Sequence, residues 1–163
     1  MIVAVDVDYR DKEAVAACVG FVKWTDDEPA FERVVHVPGA AAAYVPGMFF
    51  LRELPCVLAA LKGVSADIVV VDGYVMLTAG KRGLGGHVHE AIAKPVVGVA
   101  KNEFRGATAE RVVRGGSKKP LFVTAAGIAM KDAAAAVRSM HGPYRIPTLL
   151  ARADHLCRDK KDG

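Results

Sequence analysis

The sequence predicts an α/β protein built on a mixed sheet of five or six strands, with helices on both faces. Two observations carry this. Three apolar, β-branched segments near the start, Ile2 to Asp8, Ala14 to Lys23 and Phe31 to Val37, are separated only by turns, which is the spacing of an antiparallel meander. Beyond residue 65 the pattern changes to short continuous apolar runs alternating with helical stretches, the signature of buried, largely parallel strands covered by helices.

Ile2-Val-Ala-Val-Asp6-Val-Asp8 opens the meander as a strand ending in acid, and Asp26-Asp27-Glu28-Pro29 forms the turn before the third strand. Gly47 to Leu61 has a helical pattern in which Pro55 removes one backbone donor, so a kink or a fresh start is expected near Glu53-Leu54. Ala66-Asp-Ile-Val-Val-Val-Asp72-Gly73 reads as a central strand, and a glycine-rich loop, Gly80-Lys-Arg-Gly-Leu-Gly-Gly86, leads to a helix around His87 to Ala93. Pro95 to Ala100 and Pro120 to Thr124 are two further strands, and Ala129 to Met140 and Thr148 to Arg158 are helices. The whole of residues 1–163 is expected to be one domain.

Composition narrows the function classes. No apolar stretch approaches the ~20 residues of a membrane span, and the amino terminus lacks the layout of a signal peptide, so a cytoplasmic protein is expected. Cys18, Cys56 and Cys157 are odd in number and widely spaced, which argues against a disulfide framework or a zinc knuckle. The net charge is +4, and residues 101–119 hold six basic side chains against two acidic ones. That run is either a solvated loop or an edge facing a polyanion. The loop at 80–86 lacks the Gly-Lys-Ser/Thr ending of a P-loop and the Rossmann glycine spacing.

The informative feature is a carboxylate in an oily place. Glu53 follows Met48-Phe-Phe-Leu-Arg52 and shares a helical face with Phe50 and Val57. A buried ionised carboxylate costs several kcal/mol unless it is paired, protonated or bound to a cation. Asp6 (or Asp8) and Asp72 end strands, and ligands of open α/β sheets collect at such ends. If the three acids converge, oxygen-only ligation suits Mg²⁺ or Mn²⁺ better than zinc. The alternative is that each acid is a strand cap or a surface residue.

At this point the residues resemble endonuclease V: Asp6 in "VAVD", Tyr44-Val-Pro-Gly47 followed by Arg52-Glu53, "VVVDG" at Asp72, "GVAK" at Lys101, and Arg145-Ile-Pro147 with Asp154 beyond it. The resemblance implies an RNase H-like fold and a metal-dependent DNA repair endonuclease that nicks beside deaminated bases such as deoxyinosine. The cut would fall at the second phosphodiester 3′ of the lesion and leave 3′-hydroxyl and 5′-phosphate ends. By the same resemblance Asp6, Glu53 and Asp72 would be the metal carboxylates, Asp154 a further metal-side acid, and Lys101 the cation beside the scissile phosphate. Tyr44, Val45, Pro46 and Gly47 would be a wedge entering the duplex, and Gly73, Gly83 and Leu84 the pocket of the displaced base. Lys81, Arg82, His87 and Arg105 are the expected phosphate contacts, His89 is expected to be exposed, and a monomer is expected.

Four departures from the family pattern stand out. The chain begins at its first strand, Tyr74-Val75 and Thr78 replace a small residue and a histidine after Asp72-Gly73, Thr124-Ala-Ala-Gly127-Ile128 replaces a Ser-Pro-Gly-His-like element, and Ala43 precedes the wedge in place of proline. Competing expectations are a nuclease of inosine-containing RNA or of single-stranded or branched nucleic acid, a non-catalytic damaged-DNA-binding protein, and a flavodoxin-like nucleotide-binding domain.

Overall fold

The computed structural model describes residues 1–39, 49–78 and 80–159. The wedge stretch Tyr44 to Gly47 therefore lies outside the described residues. Strands β1 (Ile2–Tyr9), β2 (Glu13–Phe21) and β3 (Phe31–Pro38) form the expected antiparallel meander. Helix α1 (Phe49–Leu61) then crosses to β4 (Ile68–Asp72), which pairs parallel with β1. A short hairpin, β5 (Met76–Thr78) and β6 (Lys81–Arg82), precedes α2 (Leu84–Ile92) and β7 (Val96–Ala100), which is parallel to β4. β8 (Glu110–Val112), β9 (Leu121–Ala126), α3 (Met130–Ser139) and α4 (Thr148–Arg158) complete the chain.

The main sheet has seven strands in the order β3-β2-β1-β4-β7-β9-β8. This exceeds the five or six expected, because β8 is a three-residue edge too short to leave a periodic signal. β9 also runs antiparallel to β7, whereas continued parallel pairing was expected. The reason is topological: a parallel neighbour needs a crossover connection, usually a helix, and none intervenes between β7 and β9.

Alternation along the strands builds a core on each face. Ile2 and Ala4 of β1, Val70 of β4 and Val97 and Val99 of β7 pack with α3 and α4. Val3 and Val5 of β1, and Val69 and Val71 of β4, pack on the other face with Cys56, Val57 and Ala60 of α1 and Val88 of α2. Both faces are covered, so the central strands read as unbroken apolar runs. Helix α1 continues through Pro55 as a single element. No described helix is long and apolar enough to cross a membrane.

α2 begins at Leu84, earlier than expected, and its glycines explain why. Added Cβ atoms at Gly83, Gly85 and Gly86 would stand 2.3 Å from the Tyr74 carbonyl oxygen, 2.9 Å from Val75 Cγ2 and 2.5 Å from the Val75 carbonyl oxygen. The helix start is thus pressed onto the segment leaving β4, closer than any larger residue permits. That packing outweighs the roughly 1 kcal/mol a helical glycine costs.

Candidate active site

The fold brings the predicted acids to one edge of the sheet. Asp6 and Asp72 share the parity of Ala4 and Val70, so both project toward α4 at the ends of the paired strands β1 and β4. Asp154, on the facing side of α4, meets Asp6 in a side-chain hydrogen bond. Glu53 arrives from α1, on the other face, close enough for Asp6 and Asp72 to repel its charge. Lys101, just past β7, places its Nζ 3.8 Å from Asp72 Oδ2.

Crowding shows in the proton affinities. Burial, with repulsion from Asp72 and Asp154, raises Asp6 from 3.8 to about 7, although the Val7 N–H donates to its Oδ1 at 2.9 Å. Burial and then the charges of Asp6 and Asp72 raise Glu53 from 4.5 to about 7. Asp72 is raised by loss of water and by Asp154, with Lys101 opposing. Burial would lift Asp154 too, but the hydrogen bond and charge of Arg158, whose Nε lies 2.6 Å from Oδ1, hold it below the usual range.

A cluster of four carboxyls with only Lys101 and Arg158 beside it can relax by taking up protons or a cation. The all-oxygen set of Asp6, Glu53, Asp72 and Asp154 fits a hard divalent ion. Among the described residues, the trio whose potential ligand atoms lie within 4.8 Å of one another is Asp6, Asp154 and Cys157. Cys157 is a residue that sequence reasoning missed. Its thiol is fully buried, is pushed up to about 12 first by burial and then by Asp6 and Asp154, and donates to the Asp154 carbonyl at 3.2 Å. It is an uncharged packing and hydrogen-bonding group at neutral pH.

Two clefts meet at Asp72. One, of about 200 Å³, lies between the strand ends and α4 and is lined by Asp6, Asp72, Lys101, Asp154 and His155. The other, of about 430 Å³, is bounded by Glu53, Asp72, Gly73, Gly83, Leu84 and Phe104. The three expected base-pocket residues thus line one cavity, joined to the acid cluster through Asp72 and Glu53. Lys81 and Arg82 line it as well, with Arg82 paired to Glu90. Arg105 is exposed in the loop after Lys101. His87 lies in α2, where burial and the Arg82 charge lower its proton affinity. His89 points its Nδ1 to the Lys94 carbonyl, 2.7 Å away, at the end of α2.

Three supporting residues gave no clear signal in the sequence. Tyr74 is buried, and its hydroxyl donates to the Asn102 carbonyl at 2.7 Å and accepts the Phe104 N–H at 2.9 Å. It therefore pins the loop that begins at Lys101, a role available only because the position after Gly73 is large. Thr124 Oγ1 accepts the Val75 N–H at 2.9 Å, beside Gly98, where a Cβ would stand 2.4 Å from the Gly73 carbonyl oxygen. Arg52 stacks its guanidinium 3.7 Å from the centre of the Tyr9 ring, next to Glu53.

Sheet order, strand sense and an acid edge together define an RNase H-like domain, and a solved structure bears this out. Endonuclease V from Streptomyces avermitilis superposes with a TM-score of 0.81 at 30% identity, covering 96% of this chain and 79% of its own. Endonuclease V from Ciona intestinalis, solved with DNA containing an inosine followed by a ribo-adenosine, has the same fold at a TM-score of 0.81, 18% identity, and coverage of 96% and 84%. In sequence, Endonuclease V of Streptomyces coelicolor is 32% identical over 96% of this chain and 77% of its own length. The family model for Endonuclease V matches residues 1–131. The chain belongs to the Endonuclease V family, whose members are metal-dependent nucleases.

Proposed function

We propose that this chain, as a single endonuclease domain over residues 1–163, is a Mg²⁺- or Mn²⁺-dependent repair nuclease that nicks DNA beside a deaminated purine. The observation that carries this reading is the junction at Asp72 of an acid cluster with a glycine-walled cavity of about 430 Å³. That volume lies within the range of pre-formed ligand pockets, ~300–1,000 Å³. A reacting phosphate and an extruded base can therefore be held at once.

Asp6, Glu53 and Asp72 hold the cation, with Asp154 beside Asp6. When bound, the cation supplies an activated water and charge stabilisation for in-line displacement at phosphorus. Lys101 contributes a fixed positive charge toward the phosphate, held in place by Asp72 and by the loop that Tyr74 pins. Gly73, Gly83 and Leu84 bring backbone to the edge of the displaced base, and Phe104 offers a partly exposed ring at the same cavity. Tyr44, Val45, Pro46 and Gly47 fill the gap it leaves in the stack, an unstacking cost of a few kcal/mol that is smallest at a mispaired base. Lys81, Arg82, His87 and Arg105 contact flanking phosphates. A pure binding role is disfavoured by charge, because four carboxyls without a cation repel a phosphodiester.

The test is a substrate panel: duplexes holding inosine, uracil, an abasic site or no lesion, together with inosine-containing RNA and single strands, each with Mg²⁺ and with EDTA. The expected result is Mg²⁺-dependent nicking of inosine duplex at the second phosphodiester 3′ of the lesion, leaving a ligatable 3′-hydroxyl and 5′-phosphate. Cleavage confined to RNA would move the substrate. Binding without cleavage under every condition would end the nuclease reading.

A further inference from the structure

The loop between α3 and α4 displays an aromatic ring on an unusually well fastened backbone. Tyr144 is 74% exposed, the most exposed large apolar residue among those described. A single exposed apolar side chain is ordinary. What surrounds this one is not. Arg114 is buried, and its Nη1 donates to the carbonyls of Tyr144 at 2.8 Å and Arg145 at 3.4 Å, while its Nη2 donates to those of Gly142 at 3.2 Å and Met140. Gly115, at φ +64°, lies so close beneath that a Cβ would stand 2.2 Å from the Tyr144 carbonyl carbon. On the other side Arg145 donates to the carbonyls of Lys119 at 3.1 Å, Pro120 at 2.8 Å and Lys101.

This arrangement has two consequences. The ring is held out with little backbone freedom left to lose, which suits a stacking surface. The corner is also positive: the partners of the buried Arg114 guanidinium are carbonyls, which leave its charge uncompensated, and Lys118 and Lys119 are exposed on the adjoining β8–β9 connection. Arg145 ties that connection directly to Lys101, at the edge of the acid cluster.

We propose that Tyr144, with Lys118 and Lys119, is a stacking platform for a nucleotide of the strand that flanks the cut on the Lys101 side. This rests on the nuclease reading above and extends it beyond the cleft. Base–aromatic stacking tolerates any base, because every base has a π-face, and flanking lysines hold the backbone by charge. The platform therefore adds affinity for flanking nucleic acid without adding preference for its sequence.

The experiment measures binding of fluorescent inosine duplexes by anisotropy, with Ca²⁺ in place of Mg²⁺, for wild type, Tyr144→Ala, Tyr144→Phe and Lys118→Ala/Lys119→Ala. The duplexes are either blunt close to the lesion or extended on one side or the other, with 2-aminopurine at successive flanking positions. Tyr144→Ala is expected to bind one extended duplex roughly five- to a hundredfold more weakly, in line with alanine losses at stacking sites. It should bind the blunt duplex as wild type does and lose the quenching of one 2-aminopurine. Tyr144→Phe should retain both, and the double lysine variant should show a shallower dependence of affinity on salt. Thermal unfolding of Tyr144→Ala should be unchanged, because the ring is solvent-exposed.

If wild type binds the lesion and Tyr144→Ala matches it at every length, the platform is overturned and the nuclease reading stands. If wild type binds no nucleic acid, both fall. If Tyr144→Ala instead shifts a monomer–dimer balance and leaves nucleic-acid binding intact, the ring contacts a second copy and the proposal is overturned.

Discussion

Glu53→Gln tests whether the acid cluster is a strained cation site or a structural ion pair, because the two alternatives predict stability changes of opposite sign. In the folded protein without a cation, Glu53 is raised from 4.5 to about 7, first by burial and then by the charges of Asp6 and Asp72. An acid whose folded value lies above its unfolded one destabilises the fold as it ionises. The metal-free protein should therefore lose stability as pH rises from about 4.5 to about 7, and then level off. At about 1.4 kcal/mol per pH unit the cost above neutrality is on the order of 3 kcal/mol. The amide keeps the shape, removes the charge and leaves a polar group to satisfy at about 1 kcal/mol. A net gain of roughly 2 kcal/mol should raise the melting temperature by about 4–8 °C for a domain of this size. The measurement is thermal unfolding at pH 8 and pH 4.5, in EDTA and in Mg²⁺. In EDTA at pH 8 the variant should melt above wild type, and at pH 4.5 the two should nearly coincide. Mg²⁺ should stabilise wild type and not the variant, and nicking should disappear while lesion binding remains. A variant less stable than wild type in EDTA at pH 8 would refute the reasoning, because it would mean that Glu53 is held by a favourable partner such as Arg52.

Lys101→Ala removes the cation 3.8 Å from Asp72 and should slow nicking by about 10²–10³-fold, as for loss of one preorganised transition-state donor, with affinity for inosine duplex changed less than tenfold; single-turnover rates and anisotropy separate the two. Gly83→Ala forces a methyl group to within 2.3 Å of the Tyr74 carbonyl oxygen and should cost about 1–3 kcal/mol in urea unfolding, with weaker lesion binding. Tyr44→Ala should weaken lesion-specific binding by about 1–3 kcal/mol and leave the melting temperature unchanged; a loss of roughly 3–5 kcal/mol in stability with normal nicking would make it a buried packing residue in place of a wedge.

Much of this architecture was legible because it follows from period and termination. The run Ile68 to Val71 is apolar at every position, since both faces of β4 are covered, and it ends in Asp72 where cover stops. The same logic placed Asp6, and helical spacing placed Glu53. Residues whose role depends on a distant partner were not legible. Arg114 sits in a basic run that suggested an exposed polyanion-facing edge, yet it is buried, because its hydrogen bonds go to carbonyls some thirty residues away. Arg111, in the same run, is paired with Glu103 at 2.9 Å. Cys157 carried no motif, and Tyr74 looked only like a departure from the family pattern. β8 was invisible because three residues carry no period, and with it went the antiparallel sense of β9.

The placement of the acids links the site to folding itself. Asp6 and Asp72 project from the sheet face that α4 covers, whereas Glu53 comes from α1 on the opposite face. Neither layer holds the full ligand set, so the cluster exists only when both helices are docked on the strand ends. A cation bound there would favour the folded chain over the unfolded one, and its binding would displace the protons that Asp6 and Glu53 retain up to about pH 7. Cation affinity should therefore climb with pH until both acids are ionised. The carboxylate set among the apolar residues of α1 is unfavourable for the isolated protein and useful to the loaded one, since the repulsion that raises Asp6 and Glu53 is the same interaction that a divalent ion reverses.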